Sequence, residues 1–390
     1  MQSMLWLFGP AGAGKSAIAK RTAEIAAEKG LLIATFFFSR TSPARNSKDP
    51  LVATLAYQLA LSIPDTRTHI EDAIERDPAI FMKNIQVQID TLLIKPLQLS
   101  TQVASFPKLF IIDGLDECED RQAQISILDA ISRSLHQCKL SIIFLVVSRP
   151  EQDLSTSFNS SWPLKHIHSR LALDDSYQPD SDIRLFFSDK FKDIKDTHPL
   201  RLTIPTSWPT QQALETLVRK SSGQFIYAAT VVRFVESNRH RPTGRLDIIL
   251  GIKPPGNNKS PFAELDALYH HILSSVDDIK ATLSVLSLYL ATPYVQIMFQ
   301  GGCPSESVDK FLSLEEGAAH LVLTHLSSII SYDESSGEVN ILHASFVDFL
   351  VDRHRSTVFH IDIESASIHF VHRIFECIKA PDGIRGTSPL

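Results

Sequence analysis

The 390-residue sequence contains few cysteines and no long apolar run. Its four cysteines form no Cys-x-x-Cys pair, and no histidine lies at metal-ligand spacing from a cysteine pair. This pattern argues against a zinc site or a disulfide framework and predicts reduced thiols in a cytoplasmic protein. No apolar run approaches the ~20 residues that a membrane-spanning helix needs. The apolar segment before Gly9 lacks the basic flank of a signal peptide.

The sequence also lacks a large excess of either charge, since its formal net charge is −6. We therefore expect no nucleic-acid partner bound through overall charge. Internal repeats and low-complexity tracts are absent from the sequence. Hydrophobic residues make up 44% of the chain and charged residues 21%, which is ordinary for a globular protein of about two to three domains.

The first half of the chain alternates apolar runs with helical patterns. The predicted strands are Met4–Phe8, Leu31–Phe38, Lys108–Ile112, Ser141–Val147 and His166–Leu173. The predicted helices are Ser16–Lys29, Pro50–Ser62 and Ala123–His136. Because parallel strands covered on both faces carry near-continuous apolar residues, this order predicts an α/β domain over 1–175, a parallel sheet with helices on both faces.

The strand signal fades in the second half. Helical periodicity predicts a small helical domain over 176–245, followed by a linker over 246–260 that is rich in Pro, Gly and Asn. Helices and then a hairpin pattern predict a winged-helix-like α+β domain over 261–360, and 361–390 is expected to be a C-terminal tail. The helices predicted here are Asp182–Phe191, Gln211–Lys220, Phe225–Val235, Glu264–Val276, Ile279–Leu290, Leu314–Ser328 and Ser345–Val351, with the hairpin at 329–342.

The strongest motif follows the first predicted strand and fits G-x-x-x-x-G-K-[ST], the P-loop or Walker A pattern. Its glycines let backbone N–H groups turn toward phosphate oxygens, and the following helix adds its positive N-terminal end. We expect Lys15 to contact the β- and γ-phosphates of a nucleoside triphosphate and the Ser16 hydroxyl to ligate Mg²⁺. The expected nucleotide-binding residues are Gly9, Pro10, Ala11, Gly12, Ala13, Gly14, Lys15, Ser16 and Ala17. The strand before the motif and the helix after it argue against a glycine turn that only caps a helix.

A second motif ends the third predicted strand, where apolar residues lead into Asp113-Gly114-Leu115-Asp116-Glu117. This Walker B pattern predicts that Asp113 holds Mg²⁺ at the sheet edge. Asp116 and Glu117 are candidates for orienting or deprotonating the attacking water, and we expect only one of them to do so. Alternatively, both acids belong to the first turn of the next helix, where the helix dipole favours them.

Arg149 follows the fourth predicted strand. Because neighbouring parallel strands end at the same edge of a sheet, we expect Arg149 to reach the γ-phosphate and to take part in catalysis. The alternative is a surface arginine at the end of a strand.

In this order, the motifs resemble those of NACHT-type NTPases, the STAND class of signal-transducing ATPases that includes NOD-like receptors. The likeness is greatest to fungal NACHT proteins and to the nephrocystin-like NACHT group, and it covers nearly the whole chain. In the nucleotide domain it rests on GPAGAGKSAIA at Gly9–Ala19, FFFSR at Phe36–Arg40, LFIIDGLDEC at Leu109–Cys118 and FLVVSRPE at Phe144–Glu151. It continues in SGQFIYAATVVRF at Ser222–Phe234, PFAELDALYHHIL at Pro261–Leu273 and LHASFVDFL at Leu342–Leu350.

The resemblance implies a P-loop NTPase that acts as a signalling switch in innate immunity, with ATP/ADP and Mg²⁺ as cofactors. Such switches are closed with ADP, form homo-oligomers with ATP, act on a protein effector and are reset by slow hydrolysis. The motifs leave GTP open as the nucleotide. The resemblance also implies that His343, which begins the last winged-helix segment, contacts the ADP β-phosphate. Without the resemblance, a histidine between apolar residues is more often a buried residue of the core than a ligand of the nucleotide.

Two features depart from the family pattern. Phe225 stands where related proteins often carry a proline that packs on the base, so it is expected either to stack on the base or to pack in the core. The P-loop begins at Gly9, and the effector and repeat regions of the family are missing, as in a stripped-down protein or a fragment.

Two other functions compete with a signalling switch. One is a truncated nucleotide-binding regulator or scaffold without significant turnover, which the missing regions favour. The other is a P-loop kinase acting on a metabolite. No arginine-rich lid is evident in the sequence, and the two C-terminal domains exceed what a kinase needs.

Lys15→Ala is expected to abolish tight nucleotide binding and to leave the chain folded, because it removes the charge that faces the phosphates. The measurement is the ADP or ATP retained by the purified variant, with circular dichroism to report folding. Lys20→Ala, on the same predicted helix, is the matched control. Retention at the wild-type level by the Lys15 variant would show that the P-loop interpretation is wrong.

Overall fold

The computed structural model describes residues 3–40, 42–101, 108–137, 140–160, 168–173, 177–252, 260, 262–291, 305–333 and 338–379. The chain divides into two compact units between Tyr177 and Gln178. This division lies close to the boundary predicted after residue 175.

The first unit alternates strands and helices. Its strands are β1 (Met4–Phe8), β2 (Leu32–Phe37), β3 (Lys108–Asp113), β4 (Ile142–Ser148) and β5 (His168–Ala172). Its α-helices are α1 (Lys15–Glu28), α2 (Asp49–Ser62), α3 (Arg67–Arg76), α4 (Ile85–Ile89), α5 (Lys95–Leu99), α6 (Arg121–Gln137) and α7 (Gln152–Ser160). Shorter helical turns are Pro64–Thr66, Ile80–Met82 and Leu115–Glu117, and a π-helical turn at Asp90–Ile94 joins α4 to α5.

Each strand prediction corresponds to an observed strand, and α1, α2 and α6 correspond to the predicted helices. Sequence reasoning missed α3, α4, α5 and α7. The segment that contains α4 and α5 changes from α- to π-helical geometry and back, which interrupts the regular spacing of apolar residues on which helix prediction depends. The first part of the fifth predicted strand, 166–167, lies outside the described residues.

All five strands are parallel, in the order β2-β3-β4-β1-β5. Alternate side chains pack on opposite faces of the sheet. Trp6 and Phe110 join a core with α2, α3 and α6, whereas Leu7 and Ile111 pack on the other face with Ala19 of α1. The predicted α/β fold, a parallel sheet with helices on both faces, is therefore confirmed.

The strand order decides where the motifs meet. Strand β4 lies between β1 and β3, and the register pairs Phe8 with Ser148 and Asp113 with Val147. The loops that follow these three strands consequently begin side by side at one edge of the sheet.

The second unit is mainly helical. Its α-helices are α8 (Pro179–Thr197), α9 (Gln211–Ser221), α10 (Phe225–Val235), α11 (Pro242–Gly251), α12 (Ala263–Ser274), α13 (Ile279–Ala291), α14 (Ser305–Leu312), α15 (Ala318–His325), α16 (Ala344–Val351), α17 (Arg353–Ser356) and α18 (Ile363–Lys379). Short 3-10 turns occur at Arg201–Thr203 and Thr357–Phe359. Strands β6 (Ile330–Asp333) and β7 (Glu338–Ile341) form an antiparallel pair, which agrees with the predicted hairpin.

The domain limits predicted in this unit need two corrections. Helix α11 covers 246–251, so the predicted linker starts too early; Pro254 to Asn258 lie outside the described residues. Helix α18 occupies most of the predicted tail, because its apolar residues pack: Phe370 is buried in the core of this unit. That core runs continuously from Ile183 in α8 to Phe370, so the two predicted C-terminal domains share it. None of the described helices is long and apolar enough to cross a membrane.

Candidate nucleotide site

The loop after β1 follows a path that only glycine permits at several points. A Cβ on Gly9 would lie 2.9 Å from the carbonyl oxygen and 3.0 Å from the Cβ of Leu173, the residue after β5. Gly12 and Gly14 have φ angles of 78° and 87°, in the left-handed region that disfavours other residues. The backbone, and not side-chain bulk, therefore forms the surface of this loop.

Helix α1 begins directly after the loop. Its N-cap, Gly14, provides no side-chain cap, and the first turn contains no acidic residue. The N–H groups of Lys15, Ser16 and Ala17 have no carbonyl of the preceding turn to bond, so they and the helix dipole favour an anion here. This arrangement suits an anion, and phosphate binding by the loop stays a prediction.

The Lys15 side chain lies among the other predicted site residues. Its Nζ donates to the carbonyl oxygens of Gly9 at 3.0 Å and Pro10 at 2.9 Å. Burial lowers the pKa of Lys15; the charges of Asp116, Asp113 and Glu117 oppose this shift, and that of Arg149 adds to it. The structure thus brings together the predicted residues of the first unit.

Asp113 ends β3 and is only 4% exposed. The Ser16 hydroxyl and the Gly114 N–H donate to its carboxylate, whereas its Oδ1 has no hydrogen-bond partner among the described residues. Burial raises its pKa from 3.8 to about 6, with the nearby charge of Asp116 contributing.

A buried oxygen without a partner is costly unless a cation or proton satisfies it. Carboxylate and hydroxyl oxygens are the ligands that Mg²⁺ prefers. Asp113 and Ser16 therefore fit a Mg²⁺ ion, and their role as its ligands stays a prediction.

Asp116 and Arg149 form a pair, although sequence reasoning treated them separately. Asp116 Oδ1 accepts from the Arg149 backbone N–H at 2.9 Å, and Arg149 Nε lies 3.3 Å from Oδ2. Asp116 is 5% exposed, and the Arg149 side chain is 21% exposed. Both carboxylate oxygens of Asp116 are thus engaged by Arg149.

Glu117 contacts the loop after β2. Its Oε2 accepts from the Arg40 N–H at 3.2 Å, and Arg40 Nη2 donates to the Asp116 carbonyl oxygen at 3.4 Å. Burial raises the pKa of Glu117, and the hydrogen bond from Arg40 opposes this. Both acids lie in the 3-10 turn Leu115–Glu117, ahead of α6, so they are not in its first turn.

Arg40 was not among the predicted site residues. The signal was present in the sequence, because Arg40 follows the second predicted strand just as Arg149 follows the fourth. The same argument about strand ends at one sheet edge would have found it.

Two predicted residues lie in the second unit. His343 is the N-cap of α16: its Nδ1 accepts from the Ser345 N–H at 3.0 Å, and Ser345 Oγ lies 2.9 Å from the Tyr269 hydroxyl. An accepting Nδ1 places the proton of the neutral ring on Nε2. Phe225 packs edge-on to Phe186, with ring centroids 6.3 Å apart, against the core of its own unit. This contact supports the packing interpretation of Phe225.

Comparisons with known proteins support the P-loop interpretation of the first unit. The family model described as Nephrocystin 3, N-terminal, matches residues 1–149. The first unit has a P-loop NTPase-like fold. No curated protein matches the chain.

Similar solved structures include Drosophila ORC bound to DNA, the Aeropyrum pernix ORC2 protein in its ADP form and the Aeropyrum pernix ORC1 protein in complex with DNA. Each is 14% identical to this chain, with TM-scores of 0.40, 0.37 and 0.36. The alignments cover 92%, 92% and 95% of this chain and 91%, 89% and 88% of those chains. At this low sequence identity and TM-score, the DNA and nucleotide bound by those proteins say nothing about the ligands of this chain. The absence of a nucleic-acid partner stays a prediction.

The raised pKa of Asp113 predicts a pH-dependent stability. The carboxyl group holds its proton more tightly in the folded protein, so its contribution to stability is complete below pH 3.8 and is lost as pH rises through about 6. Asp113→Asn should therefore gain stability relative to wild type as pH rises from 3.8 to about 6, by about 3 kcal/mol at most, and should keep that gain at higher pH.

The measurement is urea unfolding at fixed pH without nucleotide or Mg²⁺. Asp153→Asn is the matched control, because Asp153 pairs with Arg121 at 3.7 Å on the surface. A difference between Asp113→Asn and wild type that stays constant with pH would contradict the prediction.

Proposed function

We propose that this chain is a nucleotide-dependent signalling switch of the NACHT type, which binds ATP or ADP with Mg²⁺ and is reset by slow hydrolysis. The observation that carries the proposal is that three groups of residues, each suited to one part of a Mg²⁺–nucleotide complex, lie at the same edge of the sheet. The loop and α1 suit phosphates, Asp113 with Ser16 suits Mg²⁺, and Arg149 supplies a cation for the γ-phosphate.

The contacts of the two acids favour Glu117 as the residue that activates water. Both oxygens of Asp116 are engaged by Arg149, so we assign Asp116 to this pair and not to the attacking water. Glu117 accepts from the Arg40 N–H at Oε2, and its raised pKa favours proton uptake. In this proposal, Glu117 accepts the proton of the water that attacks the γ-phosphate.

The NACHT assignment is supported by the motifs of the sequence and by the match of residues 1–149 to the nephrocystin 3 family model. From it we infer homo-oligomers in the ATP-bound state and a protein effector. Mg²⁺, when bound, neutralises the phosphate charge that Lys15 and Arg149 also face.

A regulator that binds nucleotide without turnover remains the second candidate. The observation that favours it is the hydrogen bond from the Arg40 N–H to Glu117, which ties the proposed base to the loop after β2. A base held in this way needs to be released, or reached by water at its other oxygen, before it acts.

Glu117→Gln is expected to lower steady-state phosphate release by about 100-fold while it leaves ATP affinity within about threefold, because the amide keeps the shape and loses the base. The variant should also accumulate ATP-bound oligomers in size-exclusion chromatography with light scattering. Glu119→Gln is the matched control, since it changes a neighbouring acid whose carboxylate accepts from Asn46. A wild-type rate no higher than that of the Asp116→Asn/Glu117→Gln double variant would favour the candidate without turnover.

We also propose that His343 holds the ADP state, as the resemblance to NACHT proteins implies. His343→Ala should then speed exchange of bound ADP and shift the protein toward oligomers, as measured with a fluorescent ADP and by light scattering. His343→Asn separates this role from capping, because asparagine is a good N-cap but does not reproduce the imidazole Nε2–H. Faster exchange in the alanine variant alone would indicate that His343 acts only as the cap of α16.

A further inference from the structure

The Asp116–Arg149 pair joins two neighbouring strand ends. Asp116 lies in the 3-10 turn after β3, and Arg149 is the first residue after β4. One carboxylate oxygen accepts from the backbone of Arg149 at 2.9 Å, and the other lies 3.3 Å from its Nε. Asp116 therefore holds both the backbone and the side chain of the same residue.

The burial of Asp116 makes its contact with Arg149 more important than a surface ion pair. Asp116 is 5% exposed, and a buried carboxylate depends on its cationic partner. An exposed arginine samples many rotamers, whereas one held at Nε by a buried carboxylate has its guanidinium plane restricted.

The pair also lies beside the P-loop lysine. The charges of Asp116 and Arg149 both act on the Lys15 ammonium, in opposite directions. Lys15 is the residue expected to face the β- and γ-phosphates. We therefore expect the restricted guanidinium to lie at the end of the site where ATP and ADP differ.

We propose that Asp116 is a positioning residue, which fixes the Arg149 guanidinium for recognition of the γ-phosphate and takes no part in activating water. The inference rests on the proposed function and deepens it. Preorganisation lowers the entropic cost of each contact that the arginine makes. Asp116 consequently sets the preference of the site for ATP over ADP, whereas Glu117 sets the rate of hydrolysis.

The test is a double-mutant cycle on nucleotide affinity. Dissociation constants for ADP and for a non-hydrolysable ATP analogue are measured with Mg²⁺ for wild type, Asp116→Asn, Arg149→Ala and the double variant. Asp116→Asn keeps an acceptor for the Arg149 N–H and loses the charge at Nε. We expect it to weaken binding of the ATP analogue by about tenfold and of ADP by less than about twofold. In the Arg149→Ala background, the same change should have no further effect.

Arg149→Lys gives an independent measurement if Asp116→Asn does not fold. Lysine keeps the charge but lacks the Nε–H and the planar fork, so the ATP preference should fall as in Arg149→Ala. Asp153→Asn, in the surface pair with Arg121, is the control for loss of an arginine–aspartate contact.

Each of three results would overturn the role of Asp116 and leave the proposed function standing. These are equal weakening of ATP-analogue and ADP binding by Asp116→Asn, an undiminished effect of Asp116→Asn in the Arg149→Ala background, and a wild-type ATP preference in Arg149→Lys. A loss of thermal stability in Asp116→Asn with an unchanged ratio of affinities would likewise mean a purely structural role. If wild-type protein binds neither nucleotide, the proposed function fails and this inference fails with it.

Discussion

The parallel pairing of β3, β4 and β1 is the constraint on which the site depends. The register that aligns Asp113 with Val147 and Phe8 with Ser148 brings three loops to one edge, although their sequences are far apart in the chain. Each loop supplies one type of group: backbone N–H groups after β1, carboxylates after β3 and a guanidinium after β4. A slip of one residue would turn the side chain of Asp113 to the opposite face of the sheet and separate it from Ser16.

This arrangement concentrates buried charge. Burial shifts the pKa values of Lys15, Asp113 and Glu117 in the direction that favours the neutral form of each group. Keeping these groups ionised therefore lowers the stability of the folded protein. Perturbed groups of both signs around an anion-binding loop are characteristic of functional sites, although ion-pair networks also produce them. Among the described residues, Asp113 Oδ1 has no hydrogen-bond partner, and a buried oxygen in this state favours the functional interpretation.

Much of the first unit could be predicted from the sequence. Its strands are continuous apolar runs, and its motifs have fixed spacing, so the sheet and the place of Gly9–Ser16, Asp113 and Arg149 follow from local patterns. The pairing of Asp116 with Arg149 could not be predicted in this way, because it depends on side-chain directions at two strand ends that lie far apart in sequence. The same holds for the contact between Arg40 and Glu117. The limits of the second unit were harder still, because α11 and α18 are defined by packing on a core that spans the whole unit.

The nucleotide carried by freshly purified protein provides the most direct test of the site. It is identified and counted by mass spectrometry after the protein is denatured, with the Lys15→Ala variant prepared in parallel as a blank. A P-loop joined to Asp113 and Arg149 predicts about one ADP or ATP for each wild-type chain. A folded wild-type chain that carries no nucleotide, and acquires none after incubation with Mg²⁺ and ATP or GTP, would contradict the proposed function.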